Sequence, residues 1–244
     1  MGFVLGALGG GGGILTVPIL VGFFGLSATQ ATGGSLLVVG LTSLAGSIEG
    51  FVRRSIEVRS AILIALPAML GAYVSRKLIV PNIPPTVAGI PRDDLLLGTF
   101  ALVMIYVGIK MLLPRAPRVG TTPHPFMTLL VGLAIGLVSG TLGSGGGFLI
   151  LPALTLLLDV ELERAIPTSL FVIAIQSLGG FTGEIGKSVD YALLINVSLV
   201  ALIGMGLGLL VRQRLPKRTL QIGFSLLVFI VAGWMIWKIG MNHF

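Results

Sequence analysis

The sequence predicts an all-α integral membrane protein of two homologous four-segment repeats, inverted relative to each other, each opening with a Gly-broken or re-entrant helix. Three observations lead there. Only 10% of the 244 residues are charged against 55% hydrophobic, and mean hydropathy is +1.05. A soluble domain usually carries about 25% charged residues, because its surface faces water. Apolar runs of about 20 residues, the length that crosses a hydrocarbon core, recur along the whole chain. The two halves also carry the same ordered series of Gly, Pro, Ser and acidic residues.

Eight apolar segments read as helices: about 2–24, 28–52, 58–79, 94–113, 126–158, 165–186, 190–211 and 218–238. Most of the short loops between them carry charge. The longest loop, 75–94, holds Pro81, Pro84, Pro85 and Pro91. A second proline cluster, Pro114, Pro117, Pro123 and Pro125, marks the midpoint. The division is therefore a first transmembrane repeat over 1–113, a Pro-rich linker over 114–125 and a second repeat over 126–244.

Composition excludes several chemistries. The chain has no cysteine, hence no disulfide, thiolate metal site or cysteine nucleophile. His124 and His243 sit in polar flanks, so no histidine metal site is expected within the membrane. The net charge of +7 comes from scattered Lys and Arg with no long basic run. That is membrane-flanking charge rather than a nucleic-acid surface. No Lys or Arg precedes the first apolar stretch, so the n-region of a cleavable signal is not expected.

Aligning the halves exposes the repeat. Gly9–Pro18 reads GGGGGILTVP and Gly143–Pro152 reads GSGGGFLILP. At the same offset Ala31 pairs with Ala165, Ser35 with Ser169, Leu36 with Leu170, Val38 with Val172 and Ser43 with Ser177. With small gaps, Ile56-Glu57 meets Val189-Asp190, Gly71 meets Gly204, and Gly98 and Gly108 meet Gly223 and Gly233. The second half has seventeen apolar-rich residues before its glycine turn and the first only eight. The first element is therefore either short or truncated.

Consecutive glycines should break a membrane helix, since each costs about 1 kcal/mol relative to Ala. Broken backbone at membrane depth survives only against protein or a water-filled cavity. Half-helices then begin near Ile14 and Phe148, and their unpaired first amides carry the positive end of the dipole. Two such ends meeting near the midplane make an anion site without a buried cation. Tight small-residue packing explains Gly204, Gly206 and Gly208 better than it explains glycines side by side. A nucleotide loop is disfavoured, because no P-loop Lys follows.

The twice-repeated G-x-GGG-(apolar)-P signature, the A-x-x-x-S pattern at Ala31/Ser35 and Ala165/Ser169, and the loop before each third segment together resemble the sulfite exporter TauE/SafE family of membrane proteins. The resemblance covers nearly the whole chain. It implies a secondary transporter, an exporter, of small sulfur-containing oxyanions such as sulfite or organosulfonates across the inner membrane. The alternatives are an anion channel, an uptake permease for another small anion and a membrane assembly factor. An intramembrane enzyme is least favoured, because the chain has neither a G-x-S-x-G elbow nor an H-E-x-x-H motif. The expected partners are a small anionic substrate and the lipid bilayer, with a homodimer admitted. No cofactor, metal or nucleic acid is expected.

Candidate substrate-binding residues follow from the breaks and from polar residues in the second segment of each half. They are Gly11, Gly12, Gly13, Thr42, Ser43, Gly145, Gly146, Gly147, Gln176 and Ser177. Hydroxyls and amides facing lipid are costly, so the second-segment groups should point inward. Their other role is interhelical hydrogen bonding. Asn196 and Tyr106 are weaker candidates. Glu49 lies four residues before Arg53 and Glu184 three before Lys187, spacing that allows ion pairs. The alternative for Glu49 and Glu184 is proton coupling.

Basic residues separate two topologies. Eight full crossings put eight Lys and Arg on each side, with no positive-inside bias. If the first and fifth segments re-enter, eleven collect on one side (Arg53, Arg54, Arg59, Lys110, Arg115, Arg118, Arg164, Arg212, Arg214, Lys217 and Arg218) and five on the other. The second arrangement is the asymmetry of a cytoplasmic face, and it makes the halves inverted, with the pseudo-two-fold axis in the membrane plane.

Overall fold

Away from water every backbone N–H and C=O must find a partner within the protein, which favours helices. The computed structural model is predominantly helical and describes residues 1–8, 12–87, 89–112, 125–143, 146–187, 190–212 and 216–242. The first apolar segment is two helices, α1 (Gly2–Leu8) and α2 (Gly12–Gly22). They are followed by α3 (Ala28–Val52) and α4 (Val58–Val74). A π-helical turn (Ser75–Ile79) and the short α5 (Val80–Asn82) extend α4. A two-stranded hairpin follows, β1 (Thr86–Val87) against β2 (Ile90–Pro91), with Thr86 opposite Pro91. The first half ends with α6 (Arg92–Leu112).

In the second half the fifth segment is again split, into α7 (Pro125–Leu142) and α8 (Gly147–Pro152), the latter prolonged by a π-helical turn over Ala153–Leu157. The remaining helices are α9 (Leu162–Phe181), α10 (Tyr191–Arg212) and α11 (Lys217–Asn242). Among the described residues five helical stretches are long and apolar enough to cross a membrane: Ala28–Val52, Val58–Asn82, Pro125–Leu142, Glu163–Glu184 and Tyr191–Val211. The chain is a multi-pass membrane protein.

The antiparallel pair α3–α9 forms the centre. Gly33 lies by Glu184, Gly40 by Leu178 and Gly50 by Pro167. In the apolar window of α9, 72% of residues are buried; in α10 the share is 28%. The exposed side chains of α10 (Val200, Ile203, Leu210) and α11 (Ile230, Trp237) are apolar, as lipid contact requires. One apolar core joins Ile14, Val17 and Leu20 of α2 to Phe100 and Met104 of α6 and Val228 and Met235 of α11. Another joins Ile64 and Ala65 of α4 to Ile150 and Leu154 beside α8 and Ile166 and Ile173 of α9.

Local chemistry fixes the helix starts. Ser27 and Gln30 form a capping box before α3, with Ser27 Oγ accepting from the Gln30 amide at 3.2 Å. Asp93 of α6 caps the same end, accepting from the Ala28 amide at 3.2 Å and the Thr29 hydroxyl at 2.9 Å. At that end too, Lys238 of α11 donates to the Val21 carbonyl at 3.3 Å. At the opposite end Glu57, Arg59 and Ser60 line a cleft of about 690 Å³ together with Pro125 and Leu158–Glu161. The chain thus enters α7 and leaves α8 at one end of the molecule.

Small residues set the helix spacing. α4 and α7 run in the same direction, with Gly132 facing Ile64, Gly136 facing Ala68 and Gly140 facing Ala72. α1 and α10 do likewise, through Gly2 against Ala201 and Gly6 against Met205. α6 and α11 are antiparallel, with Gly98 near Ile239 and Gly108 near Phe229. A Cβ on Gly132 would stand 2.9 Å from the Ile64 carbonyl oxygen, and one on Gly136 would overlap the Ala68 backbone. Such backbones cannot yield without separating the helices. Gly136→Val should therefore cost at least the 1–3 kcal/mol of ordinary overpacking, roughly, read as a lowered Tm in detergent. Gly206→Val points into open space and should leave the Tm unchanged.

Candidate functional site

The second glycine break is built around two left-handed residues. α7 ends at Gly143, φ +69°, whose amide donates to the Ser139 carbonyl at 2.8 Å, an αL cap. Gly146, φ +67°, precedes α8, and its carbonyl accepts from Leu149 and Ile150, each at 2.8 Å. Other residues pay about 1–2 kcal/mol for this conformation. The half-helices expected near Ile14 and Phe148 begin at Gly12 and Gly147.

The break is held between α3 and α9. Ser35 Oγ donates to the Gly143 carbonyl, and the Thr32 backbone lies against Gly143. Across the break Gln176 Nε2 donates to Ser139 Oγ of α7. A Cβ on Gly146 would stand 2.7 Å from Gln176 Nε2. The site is thus a layer of uncharged polar side chains from α3, α7 and α9 around the start of α8.

The expected binding residues are distributed as follows. Thr42, Ser43, Gln176 and Ser177 are all buried in the α3–α9 pair. Thr42 uses its hydroxyl on its own helix, donating to the Val38 carbonyl at 2.7 Å. Ser43 Oγ, Ser177 Oγ and Gln176 Oε1 have no hydrogen-bond partner among the described residues. Gly12 and Gly13 open α2, and Gly146 and Gly147 flank the start of α8. Gly11 and Gly145 lie outside the described residues, as do His124 and His243.

Two weaker candidates fall elsewhere. Tyr106 is 63% exposed on the outer surface of α6. Asn196 is exposed in a groove with Phe3, Phe24 and Val200. Both face the side of the molecule that carries apolar exposed residues, not the polar layer. Gln30 and Thr182 are also exposed, at helix ends, where Gln30 accepts from the Ser27 amide at 3.3 Å and Thr182 donates to the Gly179 carbonyl at 2.6 Å.

The two carboxylates differ sharply. Glu49 pairs with Arg53 at 3.0 Å, one helical turn away, and Arg53 is 58% exposed. Glu184 is buried, with Lys187 at 2.9 Å and Arg76 at 3.6 Å on the same oxygen. Arg76 is fully buried. By position in the chain it is one of the five basic residues expected on the less charged side, as a flanking charge. Pro81 is the first helix-breaking residue after it, which left room for the helix to run on and carry Arg76 inside. Ser75 and Ser139, also buried, escaped notice because single serines in apolar runs give no pattern.

A buried hydroxyl without a partner destabilises, so its removal should not. Ser43→Ala and Ser177→Ala are expected to keep or raise the Tm while reducing flux of the transported anion. A clear fall in Tm in both would assign these hydroxyls to structure instead. Gly146→Ala should lose about 1–2 kcal/mol from the left-handed backbone alone, with a further loss where its Cβ meets Gln176.

Comparison with known proteins identifies the family. The model of the family described as Sulfite exporter TauE/SafE matches residues 1–235. A probable membrane transporter protein of Xylella fastidiosa (strain Temecula1 / ATCC 700964) is 32% identical over 98% of this chain and 92% of its own length. The probable membrane transporter protein YdhB of Bacillus subtilis (strain 168) is 27% identical over 91% of this chain and 90% of its own. A similar protein of Methanocaldococcus jannaschii is 26% identical over 97% and 93%. No solved structure matches the chain.

Proposed function

The chain belongs to the sulfite exporter TauE/SafE family and is a membrane transporter; from that premise we propose that it exports small sulfur-containing oxyanions, such as sulfite or organosulfonates, across the inner membrane as a secondary transporter. The observation that carries this reading is the polar layer at the α7–α8 break. Gln176 reaches Ser139 and Gly146 there and keeps Oε1 unpartnered, and Ser43 and Ser177 hold unused hydrogen-bonding capacity on the same α3–α9 pair. Hydroxyl O–H groups and helix-start N–H groups are anion donors. Sulfite and sulfonate groups are compact, multiply accepting anions that such donors suit. Gly11, Gly12 and Gly13 would supply the equivalent amides at α2, and Gly145, Gly146 and Gly147 those at α8. Glu49 and Glu184 are the candidates for proton coupling; Glu184 is the buried one, whereas Glu49 pairs with the exposed Arg53.

The same proposal includes inverted repeats. Exchanging α1–α2 with α7–α8, α3 with α9, α4 with α10 and α6 with α11 carries the α4–α7 contact onto α1–α10. It carries α3–α9 and α6–α11 onto themselves. The self-paired helices are antiparallel, as a two-fold axis in the membrane plane requires. α7 and the turn after α8 share one end of the molecule with Glu57 and Arg59, the end that gathers eleven basic residues in the re-entrant arrangement. That end is assigned to the cytoplasm. Alternating access would then tilt one half against the other around the fixed break. A homodimer is compatible with this arrangement.

Two measurements test the reading. In proteoliposomes, sulfite or methanesulfonate flux should saturate, and Gly146→Leu should abolish it while membrane insertion persists. Binding of a cation or neutral amine with no oxyanion bound would refute the anion reading, and fast unsaturated conductance would make the protein a channel. For topology, the native chain has no cysteine, so single cysteines report cleanly. Cysteines replacing Arg54 and Glu161 should label from one face, and those replacing Asn82 and Ile185 from the other. Eight full crossings would place each of these pairs on opposite faces.

A further inference from the structure

Resting on the oxyanion reading above, we propose that Arg76, with Ser75, forms a second anion subsite inside the membrane, between the glycine break and the surface at Lys187. Its ligand is the sulfite or sulfonate group of the transported anion.

Arg76 is 0% exposed, yet Nε and both terminal nitrogens have no hydrogen-bond acceptor among the described residues. Ser75 Oγ beside it is equally unpartnered. A guanidinium carries five N–H donors and keeps its charge in a protein. Buried without acceptors, it is among the least favourable groups a membrane interior can hold. Glu184 does not resolve this. Its Oε1 lies 3.6 Å from Arg76 Nη1, beyond hydrogen-bond reach, and the same oxygen accepts from Lys187 at 2.9 Å. Lys187 also donates to the Arg76 carbonyl at 3.0 Å, which fixes the backbone and leaves the guanidinium unengaged. Two cations and one carboxylate leave a net positive charge, which an oxyanion neutralises. Planar bidentate pairing with two oxygens of one ligand is what a guanidinium does best.

Position supports transit rather than storage. Gly140, one turn before the break, packs on Ser75, with a Cβ there 2.9 Å from that of Ser75. Gly33, next to the Thr32 that touches Gly143, faces Glu184, with a Cβ there 2.8 Å from Oε2. Polar groups thus lead from Gln176 and Ser139 to the Gly143 cap, and Ser75 packs beside Gly140 of the same helix, next in the chain to Arg76, which neighbours Glu184 and the partly exposed Lys187. The π-helical turn that starts at Ser75 shifts the register of α4 there, as π-turns at functional sites do. The corresponding end of the other helix set is apolar: Leu5, Leu170, Met205 and Leu209 pack together. The charged subsite is thus one-sided. Glu184 is the rival anion that reclaims Arg76 when the ligand leaves.

Equilibrium binding of sulfite and of methanesulfonate to purified protein in nanodiscs tests this, with wild type, Arg76→Gln, Arg76→Lys and Glu184→Gln. Arg76→Gln should raise the Kd at least about tenfold, the worth of one or two charge-assisted hydrogen bonds. Arg76→Lys, which keeps charge but not the fork, should fall between. Glu184→Gln removes the rival and should lower the Kd; this variant keeps Arg76 and serves even where Arg76→Gln does not fold. Wild type that binds the anions, with Kd unchanged in the Lys and Glu184 variants, overturns the subsite alone. Wild type that binds neither anion overturns the oxyanion reading and the subsite with it.

Discussion

Everything in this fold depends on how the peptide groups at the second glycine break are satisfied without water. A helix interrupted at membrane depth leaves donors and acceptors that lipid cannot serve. Here the break at 143–146 is not served by lipid. Ser35 takes the Gly143 carbonyl, Gly143 caps α7 through Ser139, and Gln176 ties Ser139 back to α9. These three attachments come from α3, α7 and α9, so the break can exist only where those helices meet. The burial of α3 and α9 follows from that requirement, and so does their content of Ser, Thr and Gln.

The glycines outside the break serve a different end. Lipid tails give helices no hydrophobic reason to associate, so contact area and close approach must do it. Gly132, Gly136 and Gly140 let α7 lie on the backbone of α4, and Gly2 and Gly6 let α1 lie on α10. These parallel seams clamp the first arm of each glycine-broken element to a long helix. The polar layer is then held by packing rather than by many side-chain bonds. That leaves Ser43 Oγ, Ser177 Oγ and Gln176 Oε1 without a partner among the described residues.

Sequence pattern made much of this legible, for reasons that differ by residue. Five adjacent glycines and a second GSGGG run announced the breaks, because no packing motif needs glycines side by side. The ion pairs Glu49–Arg53 and Glu184–Lys187 followed from helical spacing, and the structure forms both. What spacing could not give was the direction each residue faces. Tyr106 and Asn196 read as inward polar groups and face outward. Arg76 read as a flanking charge and is buried, because its neighbours in space, Gly183 and Glu184, lie about a hundred positions away. A residue's surroundings across helices are a tertiary fact, and a hydropathy profile records only its neighbours in the chain.

The contrast between the break and Arg76 bears on how a membrane protein can hold an anion and still release it. Amide and hydroxyl donors offer partial charges, which bind weakly and need no counter-ion when empty. A buried guanidinium binds strongly and must be neutralised when empty. Glu184 stands close enough to lower that cost and too far to hydrogen-bond, so it can yield. On the proposed reading, the polar layer at the break and the charged Arg76 form a gradient of affinity for the anion. Toward the other end Leu5, Leu170, Met205 and Leu209 make an apolar cluster instead. On the proposed inverted-repeat reading, two related halves would in this way give one molecule unlike ends, as directional transport needs.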